Sequence, residues 1–202
     1  MGLKSIVNAA LLGAALVAGA QASAAVLSVA GDVTQIATPG TVTNATPGSN
    51  IALITFDEIQ NLILAADLAI DGGMIAAGTR VNSQMILLNR ESGRQSLSLS
   101  GSVTFDGLIL GLITSTAGLA ATDAILGAVG TTYTSFFARG LERSETLGIA
   151  GDTLTLALRV SQPGDWLRVV TIAAVPVPAA GVLLLAALGG LAALRRRKAR
   201  TA

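Results

Sequence analysis

The 202-residue sequence has no histidine and no cysteine, and its aromatic residues are one tryptophan, one tyrosine and four phenylalanines. Each absence removes a class of chemistry. Without histidine there is no His-based catalytic triad and no imidazole metal ligand. Without cysteine there is no thiolate nucleophile and no disulfide, so the fold must rest on its core even in an oxidising compartment. Aromatics at 3% leave no ring-lined groove in which sugars would stack. Neither the Gly-x-Ser-x-Gly elbow nor the P-loop pattern occurs. Charged residues reach only 12%, whereas hydrophobic residues make up 51%. Mean hydropathy is +0.68.

Much of that hydropathy sits at the two ends. Near the N-terminus, Lys4 precedes an apolar stretch over residues 6–20, and small residues follow in "AQASAAV". Ala22 and Ala24 make an A-x-A site, with Ser23 and Ala25 one step later. This order is that of a secretory signal peptide over residues 1–25, cut after Ala24 or Ala25. At the other end, residues 179–194 form an uncharged run of Ala, Leu, Val and Gly. Sixteen helical residues span about 24 Å, and counting from Val175 gives twenty residues, enough for a hydrocarbon core about 30 Å thick. Arg195, Arg196, Arg197, Lys198 and Arg200 follow directly. Such a cluster stops translocation and stays on the cytoplasmic side. The body of the chain is therefore expected outside the cytoplasm, held by one C-terminal transmembrane helix.

The segment joining body to helix is "VPVPA", residues Val175, Pro176, Val177, Pro178 and Ala179. With the apolar run and the basic tail, it resembles the C-terminal sorting signals of the PEP-CTERM class. The nearest variant is VPLPA-CTERM, from which it departs only in carrying Val177 where leucine is usual. The resemblance implies that residues 175–202 are read by an exosortase, a multi-pass membrane enzyme with a cysteine nucleophile. That enzyme cuts near the motif and passes the protein to an anchor or releases it. The catalytic residues then belong to the enzyme, and this chain is the substrate. Two prolines at alternate positions suit that role, because they hold the backbone extended and outside any helix.

Between the ends, residues 26–174 are one domain by size. Six of the thirteen cations fall in the ends, at Lys4, Arg195, Arg196, Arg197, Lys198 and Arg200. The domain keeps seven cations against twelve acids, a net charge of −5. An acidic domain without a basic stripe is a poor partner for nucleic acid. "IALITF", "LILAADLAI", "RVNSQMILL", "QSLSLSGSVTF", "DGLILGLIT", "TLTLALRV" and "DWLRVVTI" are short apolar or alternating runs. Leu97, Leu99, Val103 and Phe105 alternate with Ser98, Ser100 and Thr104, and Leu154, Leu156 and Leu158 alternate with polar or small neighbours. Period two predicts half-buried strands. Turn signals separate them at 71–73, 91–93, 106–107, 150–152 and 163–165. The expected class is mainly β, an antiparallel sandwich. "ATPGTVTNATPGSN" reads as a surface loop with two Thr-Pro-Gly turns and a sequon at Asn44. In "AGLAATDAILGA", Thr122 or Asp123 is expected to cap a short helix over 124–126, ended by Gly127. Most of residues 56–171 is similar to a domain of exported surface proteins that carry this kind of sorting signal. That likeness implies a β-sandwich and brings no known activity with it.

The remaining candidates for chemistry are carboxylates. Asp57 and Glu58 are adjacent, so in a strand they point to opposite faces and do not converge as a glycosidase pair. Asp71, Asp106, Asp152 and Asp165 lie in glycine turns, where backbone oxygens would complete a calcium cage, although Asp-Gly is first a turn signal. Arg139 to Glu142, "RGLE", reads as a binding loop or as an Arg–Glu pair at a sheet rim. Trp166 reads as a sugar platform or as packing. No residue is selected as catalytic. The expected function is an exported, non-enzymatic protein of the cell surface or extracellular matrix, with the membrane and an exosortase as partners and no obligate cofactor. The alternatives are an extracellular calcium- or carbohydrate-binding adhesion module, with extracellular polysaccharide as a partner, and, behind that, a polysaccharide-acting enzyme.

Overall fold

The computed structural model describes residues 25–173 except 92, 93, 143, 144 and 162. The sorting motif Val175, Pro176, Val177, Pro178 and Ala179, the cations Arg195, Arg196, Arg197, Lys198 and Arg200, and the residues Ala22 and Ala24 lie outside them. Ala25 lies inside. The stretch Ser23–Ala174 forms one compact unit in itself. Among the described residues no helix is long and apolar enough to cross a membrane.

The unit is mainly β, as expected. One sheet has four strands in the order β1 (Val26–Gly31), β9 (Leu97–Phe105), β13 (Thr153–Val160) and β12 (Thr146–Ala150), all antiparallel. The other has six. Its main order is β10 (Ile109–Ile113), β14 (Gly164–Ile172), β8 (Arg80–Asn89), β4 (Leu53–Asp57) and β2 (Val33–Gln35), with β5 (Leu62–Ile63) also on β8. The pairing is not antiparallel throughout. β2 runs parallel to β4, and β3 (Thr41–Val42) runs parallel to β11 (Thr132–Tyr133). β6 (Leu68–Ile70) and β7 (Gly73–Ile75) form a hairpin turned at Asp71-Gly72, where Gly72 takes the positive φ of 75° that the tight turn needs.

The alternating pattern accounts for the first core. Val103, Phe105, Leu154, Leu156 and Leu158 of the four-stranded sheet are buried with Leu53, Ile86, Leu88, Leu167 and Val169 of the six-stranded one. Leu97 and Leu99 pack against the same cluster. Burying each such side chain stabilises by about 1.5–3 kcal/mol. Gly101 occupies an inward position on β9 because no side chain fits there. A Cβ on it would stand 2.3 Å from the Ala30 carbonyl oxygen and 2.7 Å from Val33 Cγ2.

Period two fails on the central strands. β8 is buried along nearly its whole length, and β14 as far as its last residue. Their second face is covered by α1 (Thr116–Leu126), the β6–β7 hairpin and flanking loops. There Val81, Met85, Leu87, Trp166 and Val170 meet Leu68, Ile75, Leu119 and Leu126 in a second core. A strand covered on both sides loses its alternation. This layer also corrects the expected helix. It begins at Thr116 rather than at 124, capped by Ser115, whose Oγ accepts from Gly118 N at 3.0 Å. Thr122 does not cap; its hydroxyl donates back to the Gly118 carbonyl at 2.7 Å. The helix ends at Gly127, as expected. The segment 37–50 is likewise more than a surface loop, since it contributes β3 and buries Thr46 and Ser49. Ser49 Oγ takes a hydrogen bond from Asn89 Nδ2 at 2.7 Å.

Candidate functional site

Among the described residues, buried or partly buried charged groups gather in three places. The largest lies between α1 and the six-stranded sheet. Arg168 projects from β14 on the face that carries Trp166 and Val170, and it is fully buried. Its Nε and Nη2 donate to the two oxygens of Glu58 at 2.6 and 2.8 Å. Nη1 donates to Thr122 Oγ1 at 2.6 Å, and Nη2 also reaches Asp123 Oδ1 at 3.2 Å. Ser83 Oγ donates to Glu58 at 2.7 Å. On the far side of Asp123, Arg139 Nη2 donates to Oδ2 at 2.6 Å. Burial opposes the Arg168 charge, but Glu58 and Asp123 outweigh it and hold the guanidinium above its ordinary pKa. Tyr133 lies against Arg168, whose guanidinium carbon is 5.6 Å from the ring centroid. Burial, and then the Glu58 charge, push the Tyr133 hydroxyl well above its usual range.

This network settles three sequence expectations. Arg139 is fully buried and pairs with Asp123, so "RGLE" is neither an exposed binding loop nor an Arg139–Glu142 pair. The reason is the helix, which extends far enough to bring Asp123 under Arg139. Trp166 is not a sugar platform. It is fully buried, donates through Nε1 to Asn89 Oδ1 at 2.8 Å, and meets Phe136 edge-on at 5.0 Å. Asp57 and Glu58 do point apart: Glu58 turns inward to Arg168, whereas Asp57 faces the start of β1.

The second place is that start. Asp57 Oδ1 accepts from Val26 N at 3.1 Å. Burial raises its pKa, and the nearby charge of Asp106 raises it further. Asp106 is also raised by burial and accepts from Asn82 Nδ2 at 3.3 Å. The third place is Asp165 on β14, 4% exposed, with Oδ2 lacking a hydrogen-bond partner among the described residues. Burial, reinforced by the charges of Glu145 and Glu142, pushes its pKa up to about 7.

The turn aspartates do not converge. Among the described residues no three carboxylates gather in a metal-binding group. Asp71 Oδ2 accepts from Thr114 N at 3.0 Å, and Asp152 Oδ1 from Thr153 Oγ1 at 3.1 Å. Asp165 is not in a turn at all but in β14. Asp71 and Asp106 instead tie their turns to distant segments, whereas the Asp152 carboxylate meets the adjacent Thr153 hydroxyl.

The outward face of the four-stranded sheet has a different chemistry. Ser100, Ser102 and Thr104 of β9 stand beside Ala157, Thr155 and Thr153 of β13 in register. A shallow trough of about 420 Å³ runs over it, lined by Gly31, Ser100, Ser102, Gly148 and Thr155 among others. Its lining mixes hydroxyls with Ala30, Leu156 and Ala157, is more apolar than polar, and holds no charge and no ring.

Sequence reasoning missed the Arg168 hub. Its signal was present, an arginine within "WLRVV" where the neighbours on both sides are apolar. No family model matches the chain, no curated protein matches it, and no solved structure matches it.

Proposed function

We propose that the chain is an exported, non-enzymatic protein of the cell surface or extracellular matrix. Its body is a two-sheet β-sandwich, backed on one side by α1 and the β6–β7 hairpin. The leader directs secretion, the apolar run 179–194 holds the chain in the bilayer, and the basic cluster stops transfer. The exosortase then acts at Val175–Pro178, the extended stretch between body and membrane.

The observation that carries this reading is the placement of the domain's two junctions. Asp106 N donates to the Ala25 carbonyl at 2.9 Å, and Ile172 N donates to the Leu108 carbonyl at 2.9 Å. The short loop between β9 and β10 thus fastens both the first residue after the leader and the last strand before the sorting motif. A body that enters and leaves at one end is suited to standing off a membrane on that end. Among the described residues, Glu58 commits both oxygens to Arg168 and Asp71 holds a loop, so these acids have structural roles.

The test is processing. Replacing Pro176 and Pro178 by Ala is expected to leave insertion intact and to abolish the mass loss at the C-terminus in a host that has an exosortase. Equal processing of the variant and the wild type would refute the sorting role. The runner-up is a polysaccharide-binding module, favoured by the hydroxyl-lined trough on the four-stranded sheet. Titration with extracellular glycans separates the two, since only the runner-up requires saturable binding that Thr155→Val weakens.

A further inference from the structure

The first described residue is held as firmly as a core residue. Ala25 is fully buried and Val26 is 3% exposed. Ala25 is fixed through its carbonyl and the amide that follows it. Its carbonyl accepts from Asp106 N at 2.9 Å, Val26 N donates to Asp57 Oδ1 at 3.1 Å, and the Ala25 amide lies close enough to favour the Asp57 charge. The Asp106 carboxylate is near enough for its charge to act on Asp57. Asn82 is neutral, and Arg80 directs its guanidinium away to the Asn61 carbonyl at 3.2 Å. Among the described residues neither aspartate belongs to an ion pair, although burial penalises both charges. Two partly buried carboxylates beside the Ala25 and Val26 backbone form a site suited to one positive charge.

We propose that Asp57 is the receptor for the α-ammonium of Ala25, released when the leader is cut after Ala24, so that maturation itself installs an ion pair between the new N-terminus and the carboxylate at the end of β4. This rests on the reading that residues 1–24 are a leader. It goes further by choosing between the two cutting positions. A cut after Ala25 would remove the carbonyl that Asp106 N donates to and leave that amide without its acceptor. A cut after Ala24 keeps that bond and converts the Ala25 amide into an ammonium within reach of Asp57. A charge-assisted bond is shorter and about twice as strong as a neutral amide bond. It also offsets the repulsion between Asp57 and Asp106. The mature domain is therefore more tightly closed at this seam than the precursor. The leader, while attached, withholds that closure.

The composition makes the idea testable. The only lysines in the chain are Lys4 and Lys198, so the mature domain has a single primary amine, at its N-terminus. The exported protein is recovered and sequenced from its N-terminus, then treated with acetic anhydride at pH 8. Labelling of the terminal peptide is followed by mass spectrometry, with Lys198, where retained, mapped separately. An unshielded α-amine has a pKa of about 7.7–8.0 and reacts readily at this pH. The expected sequence begins at Ala25. Terminal labelling is expected to be at least about tenfold slower than in the same protein unfolded in urea, and about tenfold faster in Asp57→Asn than in the folded wild type. Burial alone would slow both folded proteins equally, so equal rates in Asp57→Asn and wild type overturn the proposal. Should Asp57→Asn fail to fold, the α-amine pKa is read in the wild type by ¹⁵N resonance titration. A value at least about one unit above the ordinary range supports the pairing, and an ordinary or lower value overturns it. A chain beginning at Val26 overturns this assignment and leaves the leader reading standing, whereas retention of Lys4 overturns both.

Discussion

Replacing Asp165 by Asn changes one oxygen to nitrogen in a nearly closed site. The Asp165 pKa of about 7 lies roughly three units above the ordinary aspartate value of about 3.9. A carboxylate raised in the folded state is favoured there in its neutral form. Its contribution to stability is therefore full below about pH 4 and is lost as the pH rises through 7. Three units at 1.36 kcal/mol each give a ceiling of about 4 kcal/mol. Glu142, one of the two acids responsible, is exposed, and solvent screening on that side reduces the expected loss to roughly 2 kcal/mol. The amide of the Asp165→Asn variant cannot ionise and does not incur that loss. The assay is urea unfolding of the exported protein and the Asp165→Asn variant at pH 4.5, 6 and 8. The variant is expected to match the wild type to within about 1 kcal/mol at pH 4.5 and to exceed it by about 2 kcal/mol at pH 8. Parallel pH profiles for the two proteins would show that Asp165 is ionised without cost, and the description of its site would be wrong.

Other sites give sharp expectations. Arg168→Met leaves Glu58 buried and uncompensated, and is expected to cost about 3–5 kcal/mol in urea unfolding, while the double change Arg168→Met with Glu58→Leu recovers most of it. Leu156→Ala, between the two sheets, is expected to cost about 2–5 kcal/mol in the same measurement. Gly101→Val places atoms against the Ala30 carbonyl and Val33, and is expected to lower the melting temperature more than Gly40→Val, where a Cβ meets nothing within 4 Å.

The strands of the four-stranded sheet were legible because one of their faces is wet. Leu154, Leu156 and Leu158 alternate with Thr153, Thr155 and Ala157, and the alternation survives in the burial of β13. The six-stranded sheet was legible only as apolar runs. "RVNSQMILLN" and "GDWLRVVTI" carry Gln84, Asn82 and Arg168 at positions that are buried, and nothing local states that a helix and a hairpin cover them. The same gap hid the charge network. Glu58 and Arg168 are 110 residues apart in sequence, and their pairing depends on the register of β4, β8 and β14. The helix was read too short because Asp123 fits a capping role. Its carboxylate is instead occupied by Arg139 and Arg168, and Ser115 caps. β1, β2, β3, β7, β11 and β12 went unread as strands. β2, β3, β7 and β11 are two or three residues long, and β12 is largely exposed at a sheet edge.

The most direct test of the account is the intact mass of the protein recovered from a host with an exosortase, compared with the same protein from a host without one. Removal of residues 1–24 is expected in both hosts. In the first alone, the C-terminus is expected to end at or near residues 175–179, as the free chain or carrying an added group. A chain that still ends at Ala202 in the exosortase host would contradict the sorting reading and leave the C-terminal segment as a plain membrane anchor.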